Sequence, residues 1–187
     1  MTSTRFWVPL LFQLALIISI PAQAVYTYFT GKTVVLQTAP VDPYDFLRGY
    51  SQTLSYDISS QGTLKQIPGW KDSSAVSGSS FYVILAAPTE VATSSRPQPW
   101  KPVQISFERP THLPANQVAL KGKYNGWRME YGLETYYMPE DQREQINADI
   151  QSVQRRQQQA FVVEVKVDAN GNAIPVSLWV RDRNYRF

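Results

Sequence analysis

Four carboxylates stand where paired acid and base groups could work: Asp42, Asp45, Glu134 and Glu140. Two carboxylates that share a cleft can act as general acid and general base, as in glycoside hydrolysis. Local context also supports structural roles, because Asp42 before Pro43 is typical of a turn. Glu140 after Pro139 suits the start of a helix. Glu134 has no such local explanation, so it is the first candidate for chemistry, with Asp42 as its partner.

Two other groupings could bind or react. Arg48 suits bidentate contacts with a carboxylate or another anion, but it adjoins Gly49 in a predicted turn, where a structural ion pair is the alternative. Ser51 could be a nucleophile with a lysine such as Lys121 as its base. The sequence has no cysteine and only one histidine, His112, which excludes thiolate zinc sites and multi-histidine centres. We predict no metal and no cofactor.

Composition limits the class of protein. The chain has 187 residues, 43% of them apolar, which is enough for one sizeable core and an appendage. Its net charge is +3, and its 18 basic side chains are scattered among 15 acidic ones. A nucleic-acid partner is therefore not predicted.

The first thirty residues predict a membrane segment. No residue from 6 to 31 is charged, and this length is sufficient to cross a hydrocarbon core of about 30 Å as a helix. Arg5 precedes it, which favours a cytoplasmic N-terminus and a domain outside. We predict an anchor at 1–31 and an extracytoplasmic domain at 32–187.

A cleaved signal peptide is the main alternative for this segment. Its apolar core would run over 8–20, Pro21 would break it, and Ala22-Gln23-Ala24 has the small-x-small pattern of a cleavage site. Cleavage near Ala24 would give a secreted protein. A buried core helix is the third reading.

The rest of the sequence predicts a mainly β (α+β) domain built from antiparallel strands. Short apolar runs at 33–37 and 81–85 read as strands, the second of them central. Val103, Ile105 and Phe107 alternate with polar residues, which predicts one buried face. The same alternation places Leu54, Tyr56 and Ile58 on the buried face of a strand over 52–58.

Two Asn-Gly pairs predict hairpins with two-residue turns. The turn at Asn170-Gly171 sets four apolar pairs on one face, namely Val167–Ile174, Val165–Val176, Val163–Leu178 and Phe161–Val180. Pro175, on the other face, indicates a sheet edge or a bulge. The turn at Asn125-Gly126 sets three further pairs, namely Tyr124–Trp127, Lys121–Glu130 and Leu120–Tyr131.

One surface helix is predicted over 139–159. Ile146, Ile150 and Val153 recur at helical spacing after Pro139, and the apolar stripe is narrow.

Aromatic residues make up 13% of the chain. A few of them, such as Tyr136, could line a groove for a peptide or a glycan, although core packing explains most. The candidate binding residues are Arg48, Tyr56, Glu134, Tyr136 and Glu140.

The order of these motifs resembles a bacterial family of membrane-anchored proteins named for a GDYxxLxY signature. The similarity covers GKTVVL at 31–36, PVDP at 40–43, DFLRG at 45–49 and YGLETYYMPE at 131–140. Gly49, Leu54 and Tyr56 match the signature, whereas Tyr50 and Ser51 stand where the family has aspartate and tyrosine. The motif positions with structural roles are Asp42, Pro43, Gly49, Leu54, Gly132 and Pro139.

The resemblance implies an extracytoplasmic domain tethered by one N-terminal helix, and it assigns no reaction. We predict a non-enzymatic module that binds or helps to assemble a membrane or envelope partner, such as an integral membrane protein. The alternative is a carboxylate-dependent hydrolase with an envelope substrate. A chemical role for the family's aspartate could not operate here, because Tyr50 replaces it.

Overall fold

The structure is a computed structural model that describes residues 3–38, 51–72, 76–89, 96–137, 145 and 161–186. Its long helix is α1 (Ser3–Thr30), and a 3-10 turn (Asp57–Ser59) and a one-turn helix, α2 (Gln61–Leu64), lie further along the chain. The strands are β1 (Lys32–Gln37), β2 (Ser51–Thr53), β3 (Ser80–Ala86), β4 (Lys101–Ser106), β5 (Gln117–Tyr124), β6 (Met129–Glu130), β7 (Thr135–Tyr137), β8 (Phe161–Val167), β9 (Ala173–Val180) and β10 (Arg183–Arg186).

The strands form antiparallel sheets. One sheet has the order β1-β8-β9-β10, another has the order β4-β3-β5-β6, and β2 pairs with β7. Buried side chains from both four-stranded sheets belong to one continuous core, for example Val34 and Val163 from the first and Val83 and Leu120 from the second. The mainly β (α+β) fold after an N-terminal helix is thus confirmed, as is the central position of β3.

Helix α1 continues through Pro21 without a break. It contains both Pro9 and Pro21, and 26 of its residues, Arg5–Thr30, are apolar enough to cross a membrane. Proline is tolerated in helices of this kind. Pro21 therefore does not break the helix, contrary to what the signal-peptide alternative expected. Cleavage near Ala24 stays a prediction.

The β8–β9 hairpin has the predicted partners in its outer half and a different turn. Val163 faces Leu178 and Phe161 faces Val180 as predicted, whereas Val165 faces Pro175 instead of Val176. The loop holds five residues, 168–172, rather than two, which moves the first pairs by one position. A bulge on β9 inserts one extra residue and restores the phase, as the position of Pro175 had indicated.

The β5–β6 hairpin forms, but its register differs by two residues from the predicted one. Lys123 faces Glu130 and Tyr124 faces Met129 across a four-residue loop. Trp127, predicted to face Tyr124, is instead 71% exposed in the loop. A shift of two keeps the paired side chains on their predicted faces, and it gives Glu130 another lysine, Lys123, as its partner.

Two strand predictions fail in part. Leu54, Tyr56 and Ile58 are buried as predicted, but the strand ends at Thr53 and the chain turns into the 3-10 segment. On β4, a bulge lies opposite Ile84 and Leu85, so Val103 has no partner residue on β3 and is 37% exposed, while Ile105 is buried.

The predicted helix over 139–159 lies outside the described residues, apart from Gln145, which is helical.

Candidate functional site

The two motif blocks singled out in the sequence meet in space. Strand β2 pairs with β7, with Ser51 opposite Tyr137 and Thr53 opposite Thr135. Directly after this pairing, the Leu54 amide donates a hydrogen bond to the carbonyl oxygen of Glu134 at 2.7 Å. The second half of the degenerate signature therefore packs against the block that begins at Tyr131.

Two buried tyrosines connect these blocks through hydrogen bonds. The Tyr56 hydroxyl donates to the carbonyl oxygen of Leu133 at 2.9 Å, and the Tyr131 hydroxyl donates to the carbonyl oxygen of Ile58 at 2.6 Å. Burial, and then the nearby negative charge of Glu134, raises the pKa of both phenols well above the ordinary value. Both groups stay protonated at neutral pH, so they act as hydrogen-bond donors and not as bases or nucleophiles.

Glu134 has a structural role that the sequence did not reveal. Its Oε1 accepts a hydrogen bond from the Tyr131 amide at 2.6 Å, which closes a four-residue turn. Gly132 lies in that turn with φ of +73°, a conformation that favours glycine. The statement that Glu134 lacks a local structural explanation is therefore wrong. Whether Glu134 also binds a ligand stays a prediction.

The other candidate residues are only partly placed. Tyr136 lies on β7 with its backbone opposite Gln52. Six more candidates, together with Asp45 and Tyr50, lie outside the described residues: Asp42, Pro43, Arg48, Gly49, Pro139 and Glu140. Ser51 and Lys121 lie on β2 and β5, which belong to different sheets.

One carboxylate that the sequence reasoning missed lies in a cleft. Asp57 lines a cavity of about 320 Å³ between β1 and the start of β4, together with Trp100 and Lys101. Burial raises the pKa of this carboxyl. It is the only carboxylate among the described lining residues, whereas a two-carboxylate hydrolase requires a pair.

A second arrangement joins the long helix to the domain. Only Gly31 separates α1 from β1, and its amide donates to the carbonyl oxygen of Thr27 at 2.9 Å. Thr27 is 1% exposed, and its hydroxyl donates to Oδ2 of Asp168 in the β8–β9 loop at 3.0 Å. A Cβ atom on Gly31 would come within 2.4 Å of the Thr27 carbonyl oxygen, so the close approach requires glycine here.

Asp168 organises its own loop as well as the junction. Its Oδ1 accepts hydrogen bonds from the amides of Asn170 and Asn172, and the Asn172 side chain donates to Oδ2 at 3.1 Å. Burial alone would raise the pKa of this carboxyl, but hydrogen bonds from Asn172, Thr27 and the two amides outweigh it and lower the pKa. The carboxylate therefore stays charged and fixes the end of α1 against the sheet. We name this contact the junction latch: Thr27, Gly31 and Asp168.

Sequence reasoning missed the junction latch. The only available signal was the run DANGN at 168–172, in which an aspartate two residues before Asn170-Gly suits a side-chain turn. Nothing in the local sequence indicates that the second carboxylate oxygen reaches a threonine 141 positions earlier.

Comparison with known proteins identifies the family. The family model described as GDYXXLXY protein matches residues 13–178, and the chain belongs to that family. No curated protein and no solved structure matches the chain. The match, together with a helix apolar enough to span a membrane, fits a membrane-anchored protein.

Proposed function

We propose that this member of the GDYXXLXY family is a single-pass membrane protein whose extracytoplasmic β-rich domain binds or helps to assemble a second integral membrane protein. The observation that supports it best is the junction latch. The hydrogen bond from Thr27 to Asp168 is buried, and Gly31 leaves no flexible linker between helix and sheet. The domain is thereby held at a fixed orientation to the helix.

Helix length agrees with this arrangement. The 28 residues of α1 extend about 42 Å, whereas the hydrocarbon core is about 30 Å thick. About two turns therefore extend past the core, about one at each end, and the turn at the domain end includes Thr27. The rest of the helix exposes large apolar side chains such as Leu11, Phe12 and Ile17. In a bilayer these side chains face lipid or the helix of another protein.

The side of the membrane can be tested with introduced cysteines, because the natural sequence has none. Val76 is 64% exposed in a loop of the domain, and Ser3 begins α1. In spheroplasts, Val76→Cys should react with a membrane-impermeant maleimide, and Ser3→Cys should react only after lysis. The reverse pattern would place the domain in the cytoplasm and contradict the proposal.

The assembly role can be tested by photocrosslinking in native membranes. A crosslinking amino acid at Ile17 probes the helix, and one at Val76 probes the domain. We expect both positions to join the chain to the same integral membrane protein in a fixed ratio. In the double variant Thr27→Val, Asp168→Ala, the crosslink from Val76 should be lost and that from Ile17 kept. Crosslinks to unrelated proteins, or none, would refute the assembly role.

A further inference from the structure

A cavity of about 280 Å³ opens beside the end of α1. Thr30, the last residue of the helix, and Lys32, the first of β1, line it on one side. Arg109, Val118 and Asp168 line it on the others. With α1 across a bilayer and its excess length shared between its two ends, the cavity lies about 6 Å past the hydrocarbon core, at the level of the lipid headgroups.

Two cations in this cavity are positioned without being neutralised. The Arg109 guanidinium donates to the carbonyl oxygen of Ala169 at 2.9 Å. The Lys32 ammonium donates to the carbonyl oxygen of Ala115 and lies 5.4 Å from the centre of the Trp100 ring. Among the described residues, no ion pair joins either cation to a carboxylate. Neutral carbonyls orient a cation and leave its charge for another anion.

The one carboxylate of the described lining offsets only one of these two positive charges. Asp168 is already the acceptor for Thr27 and for the loop donors of Asn170 and Asn172. Its hydrogen bonds hold it toward the helix and its own loop. Arg109 therefore keeps guanidinium donors that suit a phosphate, and Lys32 adds a second positive charge nearby.

We infer that this cavity binds the phosphate of an anionic phospholipid from the same bilayer, with Arg109 as the main contact and Lys32 as the second. The inference shares with the proposed function only the premise that α1 spans the membrane. Anionic lipid is favoured over zwitterionic lipid because the described lining has two cations and one carboxylate, Asp168, whose oxygens already accept hydrogen bonds from Thr27, Asn170 and Asn172. A headgroup bound here would join the bilayer surface to the sheet beside the junction latch.

The test uses the full chain with its helix, purified in an uncharged detergent with equimolar phosphatidylglycerol and phosphatidylcholine. Native mass spectrometry then counts the lipid adducts. We expect phosphatidylglycerol to be retained preferentially, and Arg109→Gln to weaken its retention roughly tenfold through one lost charge-assisted contact. Lys71→Gln removes the same charge from an exposed residue that does not line the cavity, and it should retain the preference.

Each other outcome overturns the inference. Equal loss in both variants would mean unspecific attraction by net charge, and no preference in the natural sequence would mean that the site does not exist. Displacement of the lipid by inorganic phosphate at equal concentration would identify a soluble anion as the ligand. If Arg109→Gln fails to fold, two measurements still test the inference. The natural sequence should retain phosphatidylglycerol in preference to phosphatidylcholine, and Lys32→Gln should weaken that retention. Insertion of the same samples into nanodiscs tests the spanning helix separately.

Discussion

The junction latch supports a prediction whose magnitude follows from its geometry. Thr27→Val keeps the shape of the side chain and removes the hydroxyl that donates to Asp168 at 3.0 Å. A hydrogen bond to a charged group contributes about 1.5–3 kcal/mol. Asp168 keeps its contacts from Asn170 and Asn172, so we expect the lower end, a loss of about 1–2 kcal/mol of unfolding free energy.

Asp168→Ala should cost more, because it also leaves two loop amides without their acceptor. We expect a loss of about 2–4 kcal/mol. The hydrogen bond can be isolated by a double-mutant cycle, in which Thr27→Val should have little further effect once Asp168 is absent.

The pKa of Asp168 is lowered on folding, which gives the stability of the domain a dependence on pH. The contribution of Asp168 to the unfolding free energy is present above the unfolded pKa of about 3.9 and is lost as pH falls through the lower folded value.

The assay is urea unfolding of the full chain in mild detergent, followed by tryptophan fluorescence. Thr30→Val is the matched control, because the Thr30 hydroxyl donates to the carbonyl oxygen of Tyr26 at an exposed position of the same helix. Its effect should stay within about 0.5 kcal/mol. Equal effects of Thr27→Val and Thr30→Val, or strictly additive effects of Thr27→Val and Asp168→Ala, would refute the latch.

Three further predictions concern the domain. Gly122→Ala should destabilise it by about 1–3 kcal/mol, because the added Cβ would lie 2.8 Å from the Tyr131 ring. Gly62→Ala is the control: its added Cβ would meet only a hydroxyl at 3.6 Å, so it should be neutral in the same unfolding assay. The raised pKa of Tyr56 and Tyr131 means that stability is full below the unfolded value of about 10 and falls as pH rises above it; replacing both with Phe should flatten this loss in alkaline urea titrations. Trp127→Ala should change the unfolding free energy by less than about 0.5 kcal/mol, because the ring is exposed. A larger loss would contradict the exposed position of Trp127 in its loop.

The sequence predicted side-chain burial better than strand geometry. Alternation placed Leu54, Tyr56 and Ile58 inside, and all three are buried although the strand ends at Thr53. Burial depends on apolar character, which a sequence displays directly. Strand bounds depend on partners, and β2 has only the three residues of β7 to pair with. Tyr56 instead pairs with Thr38, just after β1, in an isolated antiparallel bridge.

The Asn-Gly pairs did not reveal the loop lengths, and the predicted register was right only in the outer half of the β8–β9 hairpin, where the bulge on β9 restores it. Asn-Gly pairs indicated both hairpins, yet the loops hold five and four residues instead of two. In the first loop, Asp168 captures two amides and enlarges the turn. In the second, Asn125 accepts hydrogen bonds from the amides of Trp127 and Arg128 with the same effect. Side-chain capture of loop amides cannot be read from a dipeptide alone.

The candidate site shows the limit of local reasoning most clearly. Glu134 drew attention because no neighbour explained it, and its partner proved to be the amide of Tyr131 three residues earlier. Arg109 was not among the residues chosen from the sequence, because its cavity exists only when β5, the β8–β9 loop and the end of α1 come together. Such sites depend on contacts between distant segments, which need the fold.

The two surfaces proposed here lie at opposite ends of β5, and this separation makes the proposals independently testable. Strand β5 begins with Gln117, which lines the lipid cavity, and ends at Tyr124 before the exposed loop that holds Trp127. Its eight residues extend about 25 Å. The Val76 loop lies at the same far end, because the Gly78 amide donates to the carbonyl oxygen of Tyr124 at 2.6 Å. A crosslinker at Val76 therefore reports on contacts at the end of β5 away from the cavity, while we expect Arg109→Gln to change only lipid retention. The junction latch links the two results, since a domain that tilts on its helix would move both surfaces at once.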